Sequence, residues 1–566
     1  MPADVVIAGG GPNGLMLACE LSLAGVRPIV LERLPGRSED NRANGLVGQV
    51  VRMLDRRGLY QSLSGGQEPP RPGPGYVFGA LPLDLSVLED NPLYNLMVPQ
   101  RRVEQVLEER ATDLGVEIRR GHQVTGLSQD ADADAVTVDV EGPDGAYRLS
   151  TRYLVGADGG RSLTRKLSGI GFPGVTTDDV ISRTAHATVP AAMIDPATGG
   201  LNVPGYGIIP PFMHHRTERG LFVFGPFPSG PTLISTTERG SAEAAAGPSL
   251  TLDELRESVR RVLGADLPLG PPEGEGPHLL RRVTGGNTRL ADRFRDRRVL
   301  LVGDAAHVHT AIGGPGLNLG LQDTVNLGWK LAAEIRGWAP AGLLDSYEVE
   351  RRPVAERVVM STQAQSALIA PGSEVTALRQ LFTELLREPR NVQHIADMMS
   401  GADVHYDMGT GAHDMGTGAH GLGTGGHDKG IGGGDRGTGG GDAEAGRAHP
   451  LIGRWAPDLL LDTGTGPVRL AELTRNARPL LLDLTEDRSL AVETSGWHDR
   501  VDTVTARPVD AATPVTAVLL RPDCYIAWAS ASPRPASGER ETLHAALARW
   551  FGAPVQRGTL TREARA

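Results

Sequence analysis

Residues 4–33 read DVVIAGGGPNGLMLACELSLAGVRPIVLER, and the order of residue types in this one stretch decides the fold. Val5, Val6 and Ile7 form a short apolar run closed by glycine, the pattern of a buried strand. Gly9, Gly11 and Gly14 follow in G-x-G-x-x-G spacing. Residues 15–23 continue as an apolar helix that ends at Gly25, and RPIVLER reads as a second strand. Strand, tight turn, helix and strand predict a βαβ unit with a parallel sheet. Glycines at these positions let the backbone approach a pyrophosphate, and the helix start offers free N–H groups at the positive end of its dipole. Glu32 closes the second strand, beside Arg33, where a carboxylate can accept hydrogen bonds from a ribose. A glycine triplet alone also fits a ligand-free turn; the acidic residue after the second strand favours a dinucleotide. FAD and NAD remain equally open at this point.

Beyond this unit, the chain divides by pattern. Residues 116–156 alternate in short strands around a Pro143-Asp144-Gly145 turn. Residues 1–170 are expected to be the first part of the dinucleotide-binding domain. Residues 171–290 are richer in Pro, Gly and short β-like runs such as YGIIPPF and GLFVFGPF, and are expected to form a sheet-based substrate lobe. Residues 291–400 return to the first domain through RRVLLVGDAAH and a helix with Leu317, Leu321, Val325, Gly328, Leu331 and Ile335 at helical spacing. Residues 401–448 carry a degenerate seven-residue repeat (YDMGTGA, HDMGTGA, HGLGTGG), which predicts a glycine-rich linker. Residues 449–566 are expected to be a separate C-terminal domain. The fold class is thus α/β with an α+β lobe: a Rossmann-like domain, a β-sheet substrate lobe and a C-terminal unit.

Composition excludes several functions. The net charge of −11, from 57 basic and 68 acidic residues, is spread along the chain without the basic stripe that nucleic acid requires. No run of about 18 apolar residues suggests a membrane span. Cys19 and Cys524 are too few for a disulfide framework or a thiolate metal site, and no metal is expected. The chain opens on a strand without a basic leader, so a cytoplasmic location is expected.

VLLVGDAAHVH (299–309) separates FAD from NAD. Asp304 at a strand end can bind the ribityl hydroxyls of a flavin extended from the first motif, which an NAD-only protein does not need. The amides of Gly316, Leu317 and Asn318, in the GGPGLN turn at 313–318, could face the pyrimidine edge of the ring, where reduction places negative charge. His307 and His309 read as structural.

GGGPNG, YLVGADGGRSLTRK and VLLVGDAAHVH with GGPGLNLGLQDTVNLGWKL resemble the three fingerprints of class A FAD-dependent monooxygenases of the para-hydroxybenzoate hydroxylase fold. The resemblance spans residues 1 to about 400. It implies that Asp158 and Arg161 serve both flavin and nicotinamide, that Arg42 and Gln100 touch FAD, and that NADPH or NADH is a transient donor, since one dinucleotide unit is evident. It also implies transfer of oxygen from O2 to an electron-rich ring. The combination with a C-terminal domain, which looks thioredoxin-like but lacks CxxC, resembles tailoring enzymes of aromatic polyketides, and ANGLVGQVVRMLDRRGLY, GGLNVPGYGIIPPFMHHRTERGL and AHVHTAIGGPGLNLGLQD are similar to the tetracenomycin polyketide hydroxylases. The family usually places proline before the glycine-rich turn, where this chain has Ala311-Ile312.

The expected partners are a polycyclic aromatic small molecule and O2, with oligomeric state open and no catalytic side chain assigned. Tyr206, His214, His215 and Arg216 are the candidate substrate contacts, because phenols need orientation and sometimes deprotonation; the same residues read more simply as an exposed hairpin with ordinary surface histidines. Two alternatives stay open: Baeyer-Villiger oxidation of a related polyketide, and a non-catalytic flavin-binding protein that recruits partners. None of the six tryptophans forms a WxW pair, which argues against a halogenase.

Overall fold

A computed structural model describes residues 3–38, 45–129, 134–227, 231–240, 250–274, 278–310, 312, 314–409, 448–464, 466–510 and 513–555. The βαβ unit forms as expected: strand Ala3–Ala8, helix Pro12–Leu23 and strand Pro28–Glu32. Strand Ala3–Ala8 lies between Pro28–Glu32 and Gly145–Gly156, parallel to both, and Val299–Leu301 and Glu117–Arg120 extend the parallel sheet on either side. Alternation along the central strand fills both faces. Val5 and Ile7 pack with Leu17, Leu21, Leu327 and Leu331, whereas Val6 and Ala8 meet Val136, Val138 and Val140 of the meander. Strand Gly145–Gly156 serves two purposes: its first half pairs antiparallel with Val136–Gly142 across Pro143-Asp144, and its second half joins the parallel core.

Helix Pro315–Arg336 lies on this sheet against the first helix, close enough that a β-carbon on Gly328 would stand 2.6 Å from Glu20 Cβ. The substrate lobe is an antiparallel sheet ordered His214–Arg216, Leu221–Gly225, Leu233–Arg239, Gly174–His186, Leu280–Leu290, with His307–Val308 at the far edge. That last pairing ties the lobe to the segment after Asp304. Helix Leu252–Leu263 covers one face through Leu255, Val259 and Val262. Its N-cap Thr251 accepts the Glu254 N–H, and left-handed Gly264 ends it.

In the C-terminal domain, Leu480–Asp483 runs parallel to Asp502–Thr505 and antiparallel to Ala517–Leu520, which forms a hairpin with Ile526–Ser530; helix Ser537–Phe551 follows. A sheet ordered second, first, third, fourth with a closing helix is the thioredoxin-like arrangement. Cys19 and Cys524 are free and buried. Burial pushes the Cys19 thiol up to about 12, so it packs as a small apolar group.

The linker expectation needs one correction at its start. Val404, just before the repeat, and Tyr406 and Met408, the large side chains of its first unit, are buried in the C-terminal core. Residues 410–447 of the repeat lie outside the described residues.

Candidate active site

The first half of the site is the glycine turn between Ala8 and Pro12. Gly14 is held against the strand: a β-carbon there would stand 1.9 Å from Gly9 O. Gly9 has φ of 111° and donates to Leu31 O at 2.8 Å, so both are structural requirements of the turn. Gly11 differs. It caps the helix without a side-chain hydrogen bond, and among the described residues a β-carbon there meets nothing within 4 Å. The open space therefore lies at the unpaired amides of the helix start, where an anion is stabilised. Glu32 is oriented by two backbone amides, Gly10 N to Oε2 at 2.7 Å and Leu34 N to Oε1 at 2.9 Å, which fixes its carboxylate at the rim. Arg33 beside it is exposed, and Arg42 lies outside the described residues.

The second half is the turn Gly303–Ala305, with Gly303 at φ 59° and the Asp304 side chain exposed. This turn is gripped from behind by groups the sequence reading did not single out. Asp323, fully buried on the long helix, accepts from His307 Nε2 at 2.6 Å and Gly303 N at 3.2 Å through Oδ2, and from Arg351 Nε at 2.8 Å through Oδ1. Burial alone would raise its pKa; His307 and Arg351 overcome this and hold it low. Tyr347 Oη donates to Leu301 O at 2.7 Å, and Arg165 Nη1 to Ala305 O at 2.8 Å. A carboxylate inside an apolar helical stripe was the available signal for Asp323, since such a group must be paired.

Helix Pro315–Arg336 starts at left-handed Gly314 with no side-chain cap. Pro315 has no N–H, and helix geometry gives the amides of Gly316 and Leu317 no intrahelical partner. Asn318 acts by its carboxamide instead, donating to Gly314 O at 2.8 Å and accepting Val47 N at 3.1 Å. His309 lies beside Gly316, and burial lowers its pKa. Of the atypical pair before this turn, Ile312 is half-buried, and Ala311, like Gly313, lies outside the described residues.

The central Asp-Gly segment is placed differently from its expected role. Both oxygens of Asp158 are engaged in starting helix Leu163–Leu167, accepting the Ser162 hydroxyl, Thr164 N at 2.9 Å and Thr164 Oγ1 at 3.0 Å. Arg161 is exposed, whereas Arg165 is the buried arginine of this segment, stacked 3.7 Å over Phe172. Gln100 starts helix Gln100–Asp113 and donates to Glu104 at 2.8 Å.

The four substrate candidates separate by strand parity. Register places His214, Val223, Ser235 and Thr184 in one row across the sheet, with Thr237 and Ser182 in the next. Thr184 Oγ1 and Ser235 Oγ are 2.8 Å apart, and Ser182 Oγ and Thr237 Oγ1 are 3.0 Å apart. This face turns away from helix Leu252–Leu263. Its Arg216 reaches Ala370 O at 3.0 Å and Gly372 O at 2.9 Å, at the end of helix Ser346–Ile369, so the face looks toward the end of that helix. The Arg216 guanidinium is thereby spent on backbone carbonyls. His215 points to the opposite face, 2.5 Å from Tyr206 Oη in an exposed pair. Only His214 remains on the open face, and burial lowers its pKa below the ordinary 6.5, leaving it neutral near pH 7.

Residues 2–362 match the family model described as FAD binding domain, and residues 449–554 match that described as aromatic-ring hydroxylase, C-terminal. The chain belongs to the FAD-dependent aromatic-ring hydroxylases. A 12-dehydrotetracycline 5-monooxygenase/anhydrotetracycline 6-monooxygenase of Streptomyces rimosus is 40% identical over 98% of this chain and 100% of its own. The solved anhydrotetracycline hydroxylase from Streptomyces rimosus aligns with a TM-score of 0.78 at 39% identity, over 98% of this chain and 100% of its own. A dialkyldecalin synthase of Streptomyces rugosporus is 34% identical over 98% and 99% of the two chains.

This flavoprotein monooxygenase fits FAD on its own geometry: an open glycine cradle at a bare helix start, a fixed carboxylate beside it, and a second helix start with free amides. FAD, when bound, supplies the redox and oxygen chemistry. Among the described residues no cluster suits a metal, and no helix is long and apolar enough to cross a membrane.

Proposed function

We propose that the chain hydroxylates an electron-rich ring of a linear tetracyclic aromatic polyketide in antibiotic biosynthesis, using NADPH or NADH and O2. One oxygen atom of O2 enters the ring, the other leaves as water, and the nicotinamide supplies the two electrons. The carrying observation is the half-buried sheet face turned away from helix Leu252–Leu263, with His214 at the end of a Ser/Thr row, a polar-lined platform for fused rings. The full-length likeness to an anhydrotetracycline monooxygenase supports the tetracyclic class, which includes anhydrotetracycline and the tetracenomycin-type naphthacenequinones.

In this reading Gly11 and the free amides beside it hold the pyrophosphate, Glu32 the ribose and Asp304 the ribityl chain. The amides of Gly316 and Leu317 stabilise negative charge on the ring. Neutral His214 takes the proton of a phenolic hydroxyl at an imidazole nitrogen, which enriches the ring for attack. The sheet and helix Ser346–Ile369 exclude water from the bound rings.

The test is turnover of the holoenzyme with anhydrotetracycline and with a naphthacenequinone, following NADPH and NADH oxidation and assigning the product skeleton by carbon NMR. The expected product carries one added hydroxyl on an intact skeleton. Ring expansion would make it a Baeyer-Villiger enzyme. Product without NAD(P)H oxidation would overturn the monooxygenation of this substrate. FAD retention without conversion of any polycyclic phenol or quinone would leave a binding protein.

A further inference from the structure

Arg351 stands where two buried networks meet. Its Nε donates to Asp323 at 2.8 Å and its Nη2 to Leu319 O at 3.3 Å, both on the long helix. Its Nη1 donates to Tyr406 Oη at 3.0 Å. Asp323 in turn holds His307 and the Gly303 amide, on either side of Asp304. Tyr406 belongs to the other side: its N–H donates to Gly453 O at 2.9 Å, and its ring lies 4.1 Å from that of Tyr525. Arg351, Asp323, His307 and Tyr406 are all buried. The preceding residue, Glu350, is held by Arg521 of the C-terminal domain.

We propose that Arg351 and Tyr406 are positioning residues through which the C-terminal domain holds the Gly303–His307 turn, and with it Asp304, in place. Asp323 has only two oxygens for three donors in a water-poor interior. If Arg351 shifts, a carboxylate is left short of its counter-charge, so the His307 and Gly303 contacts shift with it. Tyr406 fixes the far end of Arg351. Consecutive side chains of one helix thus face the two domains, Glu350 toward Arg521 and Arg351 toward the flavin segment. A thioredoxin-like unit without CxxC then has a use other than dithiol exchange: it braces the FAD site. The effect on FAD rests on the assignment of Asp304 to the ribityl chain; the bracing does not.

Tyr406→Phe keeps the ring and removes only the hydroxyl; Arg351→Lys keeps the charge but cannot serve both partners. Arg469→Lys is the control, because Arg469 crosses the same domain junction to Asp55 without touching this chain of contacts. Amide hydrogen exchange of residues 299–309 in the full-length holoenzyme should speed up by about tenfold in Tyr406→Phe and Arg351→Lys, as loss of a hydrogen bond to a charged group predicts, and stay unchanged in Arg469→Lys. FAD should bind about tenfold more weakly in the first two variants. Unchanged exchange in both, or equal acceleration in Arg469→Lys, would overturn the proposal. Faster exchange with unchanged FAD affinity would support the bracing and remove Asp304 from the FAD site.

Discussion

Glu350 and Arg521 meet end-on across the domain junction, Oε1 to Nη1 and Oε2 to Nη2, each at 2.7 Å. Arg521 is also enclosed by the rings of Trp329, Tyr406, Tyr525 and Trp550, and Lys330 adds a third cationic donor to Glu350 Oε2 at 2.7 Å. A charge this deep is tolerated only while its partner is present. Glu350→Gln should therefore cost about 3–5 kcal/mol of stability, because it leaves buried Lys330 without a carboxylate partner and Arg521 with Asp523 alone. Chemical unfolding followed by tryptophan fluorescence measures this.

Acid should weaken the same junction. Burial pushes the Glu350 carboxyl up, but Arg521 and Lys330 more than compensate and hold it well below its ordinary 4.5. A depressed carboxylate contributes stability above the unfolded value and loses it as pH falls through the folded one. The melting temperature should thus drop as pH is lowered from about 4.5, and Glu350→Gln should show a shallower drop. Equal slopes in the two proteins would contradict this.

Gly11 and Gly14 should separate binding from folding. Gly14→Ala forces a β-carbon into Gly9 O and should impair folding itself. Gly11→Ala meets no atom of the described residues within 4 Å, so its stability should stay within about 0.5 kcal/mol of wild type. It should still lose FAD affinity by about tenfold or more, because the added methyl occupies the approach to the pyrophosphate. Equilibrium titration of the apoprotein with FAD, beside a thermal melt, decides it.

His214 and His215 should behave as opposites. His214→Gln should reduce kcat by about 100-fold on a phenolic substrate, the usual scale for a general base. In the wild type, kcat should rise with pH through a value below 6.5 and then level, since burial lowers the His214 pKa. That limb should vanish in His214→Gln and persist in His215→Gln, whose ring points to the other face. A limb retained in His214→Gln would remove this histidine from proton transfer.

The sequence by itself determined the parallel sheet, the two helix starts and the FAD reading. Each rests on contiguous chemistry: the glycines, Glu32 and Asp304 lie within short segments that follow one another in the order an extended flavin dinucleotide calls for. The thioredoxin-like unit was legible as strand runs and a terminal helix. Strand parity was not. Whether His214 or His215 faces the cleft depends on cross-strand register, which a linear pattern does not contain. Nor could sequence tell that Arg216 is spent on the end of helix Ser346–Ile369, or that Tyr406 leaves the repeat to join a core. These were decided by tertiary structure, because buried polar groups take whichever partner the fold delivers. For Arg351 the fold delivers Asp323 on one side and Tyr406 on the other, residues well separated along the chain that no local spacing connects.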